Sequence, residues 1–127
     1  MAVVRCGQMG LLAIAALRQE GLGSLIAVDR IGWRLDLARK IGATHAVGAD
    51  SEDPVEVVEE ITNGGADVVV EVTGKPGGLE LSAELIRMGQ GTLMMAGFHQ
   101  VRDQYYLRQF AFKGLIAHQA HPHYSPV

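Results

Sequence analysis

The sequence predicts a single α/β domain in which six parallel strands form one sheet with helices on both faces. Short apolar runs alternate with helix-like segments for at least four full units along the 127 residues. The apolar runs lack polar alternation, which is typical of strands covered on both faces. The 16 glycines are scattered singly or in pairs, as expected of repeated turns. Because crossovers between parallel strands are right-handed, these observations indicate a doubly wound, three-layer αβα domain of the Rossmann type with strand order 3-2-1-4-5-6.

Two strand–helix units open the chain. Residues 2–4 form a short β-branched run that predicts a strand, and residues 10–21, rich in Ala and Leu, predict a helix that ends at its glycine. Residues 24–29 are an apolar run closed by an acid and predict the second strand. Residues 33–42 carry apolar side chains near helical spacing, with basic residues in the last turn and glycine after it, and predict the second helix.

The following segments repeat this alternation. Residues 45–47 predict a weak third strand, and residues 53–62, with proline at the first helical position, predict the third helix. Residues 66–72 predict a strong strand. Residues 77–89 predict a helix with one apolar face, and residues 91–97 predict another apolar strand.

Beyond residue 97 the pattern weakens. Residues 105–112 fit neither a helix nor a strand clearly, whereas residues 114–120 are compatible with a last strand. We therefore assign residues 1–116 to a dinucleotide-binding domain and residues 117–127 to a C-terminal tail or the end of the last strand.

Composition excludes several classes of protein. Hydrophobic residues make up 48% and charged residues 20%, the profile of a globular domain. The net charge of −3 offers no electrostatic basis for binding nucleic acid or an anionic membrane. No run approaches the ~18 apolar residues of a membrane span, and no signal-peptide pattern begins the chain. The single Cys6 allows no internal disulfide or multi-cysteine zinc site and favours a cytoplasmic location.

The turn after the first strand resembles a phosphate-binding motif with one substitution. In the fingerprint G-x-G-x-x-G the second and third glycines correspond to Gly7 and Gly10, but Arg5 stands at the first position. Gly7 would let the backbone approach a pyrophosphate, and Gly10 would let the first helix pack closely on the sheet. Arg5 would either crowd the cofactor or turn outward and pair with its phosphates. Glycines that serve only the turn are the alternative.

An acid at the end of the second strand supplies the second part of the motif. Asp29 lies nineteen residues after Gly10, where a carboxylate accepts hydrogen bonds from the adenosine ribose. Its charge would repel a 2′-phosphate, which favours NAD over NADP, although the neighbouring Arg30 could accommodate that phosphate. The competing interpretation is that Asp29 is only a solvated acid at a strand end.

Four stretches resemble the cofactor-binding domain of the medium-chain dehydrogenases, the zinc-type alcohol, polyol and threonine dehydrogenases. These are "VVRCGQMGLLAIAALRQEG", "LIAVDRIGWRLDLARKIGATHAV", "GGADVVVEVTG" and "GTLMMAGFHQ", and the resemblance covers residues 1 to about 116. It implies cofactor contacts at the glycine turn, at the acid after the second strand, at a basic residue five positions later, and at the ends of the fourth and fifth strands. The implied residues are Arg5, Gly7, Gln8, Met9, Gly10, Asp29, Arg30, Arg34, Val72, Thr73, Gly74, Ala96, Gly97 and Phe98.

Two of these positions have an equally plausible structural interpretation. Thr73 is compatible with an ordinary turn residue, and Phe98 with a core aromatic. The implied Arg34 contact lies near the adenosine end of the cofactor.

The resemblance also implies that the catalytic domain of such enzymes, with its zinc ligands, is missing from this sequence. Three hypotheses follow. The chain is an NAD-binding domain without catalysis of its own, or a non-enzymatic remnant that has lost the cofactor because of Arg5 and at most self-associates, or half of a split oxidoreductase that needs a separate catalytic chain. No catalytic residue and no zinc site are assigned, and the substrate is not predicted.

Histidines offer one candidate metal motif. His118, His121 and His123 have the spacing H-x-x-H-x-H, which suits a metal ion, but they lie in a Pro-containing terminal segment without neighbouring acids or cysteines. We favour a solvated tail. His45 is expected to end a loop, and His99 is expected on the cofactor side of the sheet.

The last strand predicts self-association. Residues 113–120 supply an apolar strand that would be left open at the sheet edge, and the resemblance implies that this strand pairs with its mate across a two-fold axis. We therefore expect a homodimer or larger oligomer.

Overall fold

Six parallel strands form one sheet in the order β3-β2-β1-β4-β5-β6, which confirms the predicted fold. The structure is a computed structural model that describes residues 1–99 and 108–120. Its strands are β1 Ala2–Val4, β2 Ile26–Asp29, β3 His45–Gly48, β4 Val68–Glu71, β5 Thr92–Met95 and β6 Ile116–Gln119. The helices are α1 Gln8–Leu17, α2 Gly32–Ile41, α3 Pro54–Thr62, α4 Pro76–Leu85 and α5 Arg108–Lys113.

The two faces of the sheet carry separate hydrophobic clusters. On one face Val3 packs with Ile14 of α1 and Leu35 of α2. On the other face Val4 packs with Val58 of α3 and Leu79 of α4. Consecutive residues of β1 thus point into opposite clusters, which explains why this strand is apolar throughout.

The C-terminal end predicted for the fourth helix is wrong. The sequence predicts helix over residues 77–89, but α4 ends at Leu85 and Ile86 is extended. The segment after Leu85 instead pairs with Ala66: Ala66 N–H donates to the Leu85 carbonyl and Arg87 N–H to the Ala66 carbonyl. Ile86 is 1% exposed. Burial of this side chain and the two backbone hydrogen bonds outweigh the helical propensity of the segment.

Lys113 stabilises the end of α4 from a distant part of the chain. Its Nζ donates to the carbonyls of Glu84 and Ile86, at 2.5 and 2.6 Å. Burial lowers the pKa of Lys113 and is the largest of the influences on that pKa. The region 105–112, which fitted neither pattern, is helical where the structure describes it, from Arg108 onward.

Candidate functional site

The candidate site lies at the carboxyl edge of the sheet, between β1 and β4. The chain leaves β1 toward β2 on one side, while β4 lies on the other, so this is the point where a doubly wound sheet reverses its strand order. A cavity of about 620 Å³ opens there above the ends of β1, β2 and β3 and the start of α4. It is lined by Val4, Arg5, Val28, Asp29, Arg30, Ile31, Arg34, Ala49, Asp50, Thr73, Lys75, Gly77, Gly78 and Leu81.

A second cavity of about 270 Å³ lies over the glycine turn. It shares Arg5 and Arg34 with the first cavity. Its lining residues are Arg5, Gly7, Gln8, Met9, Gly10, Arg34 and Val72. The predicted residues of the glycine turn and of the second strand therefore line two adjoining cavities. Val72 and Thr73 line these cavities as well.

The two glycines of the turn have different surroundings. A Cβ atom on Gly10 would lie 2.0 Å from the carbonyl oxygen of Arg5, so α1 approaches β1 as closely as only glycine permits. A Cβ atom on Gly7 would meet nothing within 4 Å. Gly7 is the N-cap of α1, no side chain caps the helix there, and Gly7, Gln8 and Met9 line the second cavity. Gly10 thus serves packing, while Gly7 leaves room for a ligand.

Arg5 keeps the backbone conformation of the glycine it replaces. Its φ is +78°, in the left-handed region that side chains other than glycine rarely occupy. The backbone is held there because Arg5 N–H donates to the Val28 carbonyl at 2.8 Å. Its guanidinium Nη1 donates to the Thr73 carbonyl at 3.0 Å and so spans the gap between β1 and β4.

Asp29 is a buried, hydrogen-bonded acid. It is only 6% exposed, so the interpretation as a solvated acid is wrong. One carboxylate oxygen accepts from Cys6 N–H at 2.6 Å, and the other accepts from Ile31 N–H at 2.8 Å. Arg34 Nη1 lies 3.9 Å from the same carboxylate. Asp29 therefore joins the end of β2 to the glycine turn while it lines the larger cavity.

Cys6 is inert because it is buried next to that carboxylate. Its side chain is fully buried, and its Sγ lies 3.8 Å from the Val28 carbonyl. Burial, and then the negative charge of Asp29, raise the pKa of Cys6 to about 12. The thiol therefore stays protonated in the folded protein at neutral pH and is a poor nucleophile.

We expect alkaline pH to weaken the domain through Cys6. The folded pKa of about 12 exceeds the ordinary value of 9.0, so the stabilisation is complete below pH 9 and is lost as pH rises from 9 toward 12. Between pH 7.5 and 10.5 the contribution of Cys6 to the free energy of unfolding should fall by about 2 kcal/mol. Urea unfolding of the wild type and of Cys6→Ala at both pH values measures this loss of stability. The stability difference between the two proteins should narrow by that amount, and an unchanged difference would contradict the assignment.

The basic residues beside Asp29 differ in their partners. Arg30 is exposed and its Nε lies 2.7 Å from Asp50 Oδ1; this hydrogen bond raises the pKa of Arg30. Arg34 stacks over the ring of Trp33, 5.3 Å from its centroid. The positive charge of Arg30 is therefore offset by Asp50, whereas Arg34 lies between an aromatic ring and the Asp29 carboxylate.

Glu71, next to the site, is a structural acid that the sequence motifs did not identify. It is 0% exposed at the end of β4. Its Oε1 accepts from the N–H groups of Thr73 and Gly74, at 2.5 and 3.0 Å, and from the Thr73 hydroxyl. Its Oε2 lies 2.8 Å from His99 Nε2. An acid at the end of an otherwise apolar run, the same pattern as Asp29, was the signal in the sequence.

The predicted residues at the ends of β4 and β5 form a closely packed pair of turns. Gly74, with φ +62°, approaches the Phe98 carbonyl so closely that a Cβ atom would lie 2.6 Å from it. A Cβ atom on Gly97 would lie 2.5 Å from Gly74 N. Ala96 N–H and Gly97 N–H both donate to the Glu71 carbonyl. Gly74, Ala96, Gly97 and Phe98 line neither of the two cavities.

The structural interpretations of Thr73 and Phe98, as a turn residue and a core aromatic, fare differently in the structure. The Thr73 hydroxyl accepts from Lys75 N–H at 3.0 Å, which is the behaviour of a turn residue. The same threonine lines the larger cavity. Phe98 is 63% exposed, so its interpretation as a core aromatic is wrong.

The described residues do not fit a zinc ion. Within 1–99 and 108–120 there is no group of three His, Cys, Asp or Glu side chains that could hold a metal. His118 lies in β6, whereas His121 and His123 of the predicted motif lie outside the described residues. His45 begins β3, and its Nδ1 lies 2.9 Å from the Thr44 hydroxyl. No helix within the described ranges is long and apolar enough to cross a membrane.

Known proteins that resemble the chain are dehydrogenases. The model of a family described as "Zinc-binding dehydrogenase" matches residues 9–119. The L-threonine 3-dehydrogenase of Bacillus licheniformis is 41% identical over 90 residues, 70% of this chain and 26% of that protein. Sorbitol dehydrogenase of Bacillus subtilis is 37% identical over 98 residues, 76% of this chain and 28% of that protein. The solved structure of the alcohol dehydrogenase from Thermus sp. ATN1 has a TM-score of 0.84 at 32% identity, covering 94% of this chain and 34% of that chain. The chain spans about a quarter to a third of these relatives.

Proposed function

The chain belongs to the zinc-binding dehydrogenase family, and we propose that it binds a nicotinamide dinucleotide, with NAD preferred over NADP, as the cofactor-binding part of such an enzyme. The observation that carries the proposal is the cavity over Gly7 at the start of α1, which adjoins the larger cavity lined by Asp29. The free N–H groups at the start of a helix suit a diphosphate. When bound, such a cofactor supplies hydride transfer at its nicotinamide ring.

In this proposal, the two cavities bind different parts of the cofactor. The turn at Gly7 and Gly10 faces the diphosphate, and Asp29 faces the adenosine ribose. The larger cavity also has apolar walls from Val28, Ile31 and Leu81, which suit the adenine ring.

The preference for NAD follows from the charges at the end of β2. A 2′-phosphate would lie against the buried Asp29 carboxylate. Arg30, the neighbouring residue that could accommodate that phosphate, is already paired with Asp50 at 2.7 Å. We expect NADH to bind about tenfold more tightly than NADPH, the difference that one such unfavourable charge contact produces.

A titration with NADH tests the proposed function. Trp33 is the only tryptophan, and its neighbour Arg34 lines both cavities, so energy transfer from the tryptophan to bound NADH reports binding. We expect saturable quenching below millimolar cofactor. Gly7→Val should weaken binding by about tenfold or more, since a Cβ atom there meets no protein atom within 4 Å and the side chain would enter the space proposed for the diphosphate.

Gly23→Val is the matched control for Gly7→Val. A Cβ atom at Gly23 also meets nothing within 4 Å, and Gly23 lines neither cavity. It should bind NADH as the wild type does. No quenching by either nicotinamide coenzyme at millimolar concentration would contradict the proposal and favour the alternative that Arg5 has abolished binding.

Self-association through β6 is a further part of the proposal. Ile116–Gln119 is the edge strand next to β5, and its four residues are exposed. Ile116 is 57% exposed, and Phe112, in the helix α5 that precedes β6, is 69% exposed. Pairing of β6 with a second copy would satisfy its outward backbone groups and cover these side chains.

Light scattering during size-exclusion chromatography measures that association. We expect a dimer or larger species for the wild type and a monomer for Ile116→Lys, because a lysine at an edge strand opposes pairing. Leu12→Lys is the matched control, since Leu12 on α1 has the same 57% exposure. A monomeric wild type, or equal effects of the two variants, would contradict association through β6.

The location that we propose is the cytoplasm. Cys6 is the only cysteine, and its buried thiol suits a reducing compartment.

A further inference from the structure

Arg5 bridges the ends of β1 and β4 at the carboxyl edge of the sheet. Its guanidinium reaches from the end of β1 to the Thr73 carbonyl, 68 residues later in the chain, at 3.0 Å. It lines both cavities of the site. This position is the crevice at the strand-order reversal, which a dinucleotide must cross to reach the ends of β4 and β5.

Beyond Arg5, the turns after β4 and β5 are packed tightly against each other. Gly74 and Gly97 leave no room for a Cβ atom, because the β4 and β5 turns contact each other through backbone atoms. Neither cavity includes these glycines or Ala96. The cavity of about 620 Å³ lies over Asp29, Ile31 and Leu81 and extends as far as Thr73 and Lys75.

The charge of Arg5 is available to a ligand. Across the described ranges 1–99 and 108–120, no carboxylate lies within ion-pair distance of its guanidinium. One of its N–H groups is used by Thr73, and a guanidinium carries five. A phosphate offers stronger, charge-assisted hydrogen bonds than a neutral carbonyl does.

From these observations, and resting on the proposed function, we propose that Arg5 makes the site selective for adenosine diphosphate over the complete dinucleotide. The adenosine would occupy the larger cavity and the diphosphate the glycine turn. The terminal phosphate would then accept hydrogen bonds from Arg5. The dinucleotide has no terminal phosphate there, and its nicotinamide half must displace Arg5 from Thr73.

Calorimetric titrations of ADP and NADH into the wild type, Arg5→Gly and Arg39→Ala test this proposal. Arg5→Gly retains the fold because φ +78° suits glycine, which thermal unfolding verifies. Arg39→Ala removes the same charge from the exposed side of α2, away from both cavities. We expect the wild type and Arg39→Ala to bind ADP about tenfold more tightly than NADH, and Arg5→Gly to lose this preference by weakening ADP and strengthening NADH.

The outcomes separate this inference from the proposed function. Equal affinities for ADP and NADH in the wild type, or an ADP preference retained in Arg5→Gly, would overturn the role of Arg5 while leaving the dinucleotide site intact. Failure of every variant to bind either ligand would overturn the proposed function and, with it, this inference.

Discussion

Replacing Gly10 by alanine should destabilise the domain by about 3 kcal/mol or more, the largest effect that we expect of a single methyl group in this chain. The added Cβ atom would lie 2.0 Å from the carbonyl oxygen of Arg5, 3.0 Å from its carbonyl carbon and 3.3 Å from Val72 Cγ2. Two of these atoms belong to the backbone at the end of β1, so no side-chain rotation relieves the contact. The N-terminus of α1 would have to move away from the sheet.

Urea unfolding of Gly10→Ala and Gly7→Ala gives the comparison. The two glycines are three residues apart in the same turn, but a Cβ atom at Gly7 meets nothing within 4 Å. Gly7→Ala should cost at most about 1 kcal/mol, since alanine is a poorer N-cap than glycine. Similar losses for both variants would show that α1 does not approach β1 as closely as the structure indicates.

Replacing Glu71 by alanine should destabilise the domain by about 3–5 kcal/mol. The carboxylate is 0% exposed and accepts the N–H groups of Thr73 and Gly74. Alanine leaves these buried donors, the Thr73 hydroxyl and the His99 ring without that acceptor, and it also leaves a cavity. The turns after β4 and β5 should lose their fixed arrangement.

Two companion variants separate charge from hydrogen bonding at Glu71. Glu71→Gln keeps an oxygen toward Thr73 and Gly74, so about 1–2 kcal/mol of destabilisation is expected. Glu60→Ala, at an exposed position of α3, should change the stability by no more than about 0.5 kcal/mol. Chemical unfolding at pH 7 measures all three proteins. A Glu71→Ala protein as stable as Glu60→Ala would mean that the carboxylate does not hold these turns.

Local patterns were sufficient for most of the fold and part of the site. Apolar runs without alternation predicted β1, β2, β4 and β5, because strands covered on both faces cannot carry polar residues in their interior. Asp53 before Pro54 predicted the start of α3, where the Asp53 carboxylate accepts from Val55 N–H at 2.9 Å. The end of α4 could not be predicted, since it depends on backbone pairing with Ala66, some twenty residues earlier.

The sequence by itself determined the doubly wound sheet, the glycine turn after β1 and the acid at the end of β2, because each depends on residues close together in the chain. Tertiary structure alone decided that Arg5 reaches Thr73, that Asp29 is buried against Cys6, and that Glu71 organises the neighbouring turns. These contacts depend on the register between neighbouring strands and on how the turns at their ends pack together. That arrangement results from packing two helical layers on one sheet, and no local pattern encodes it.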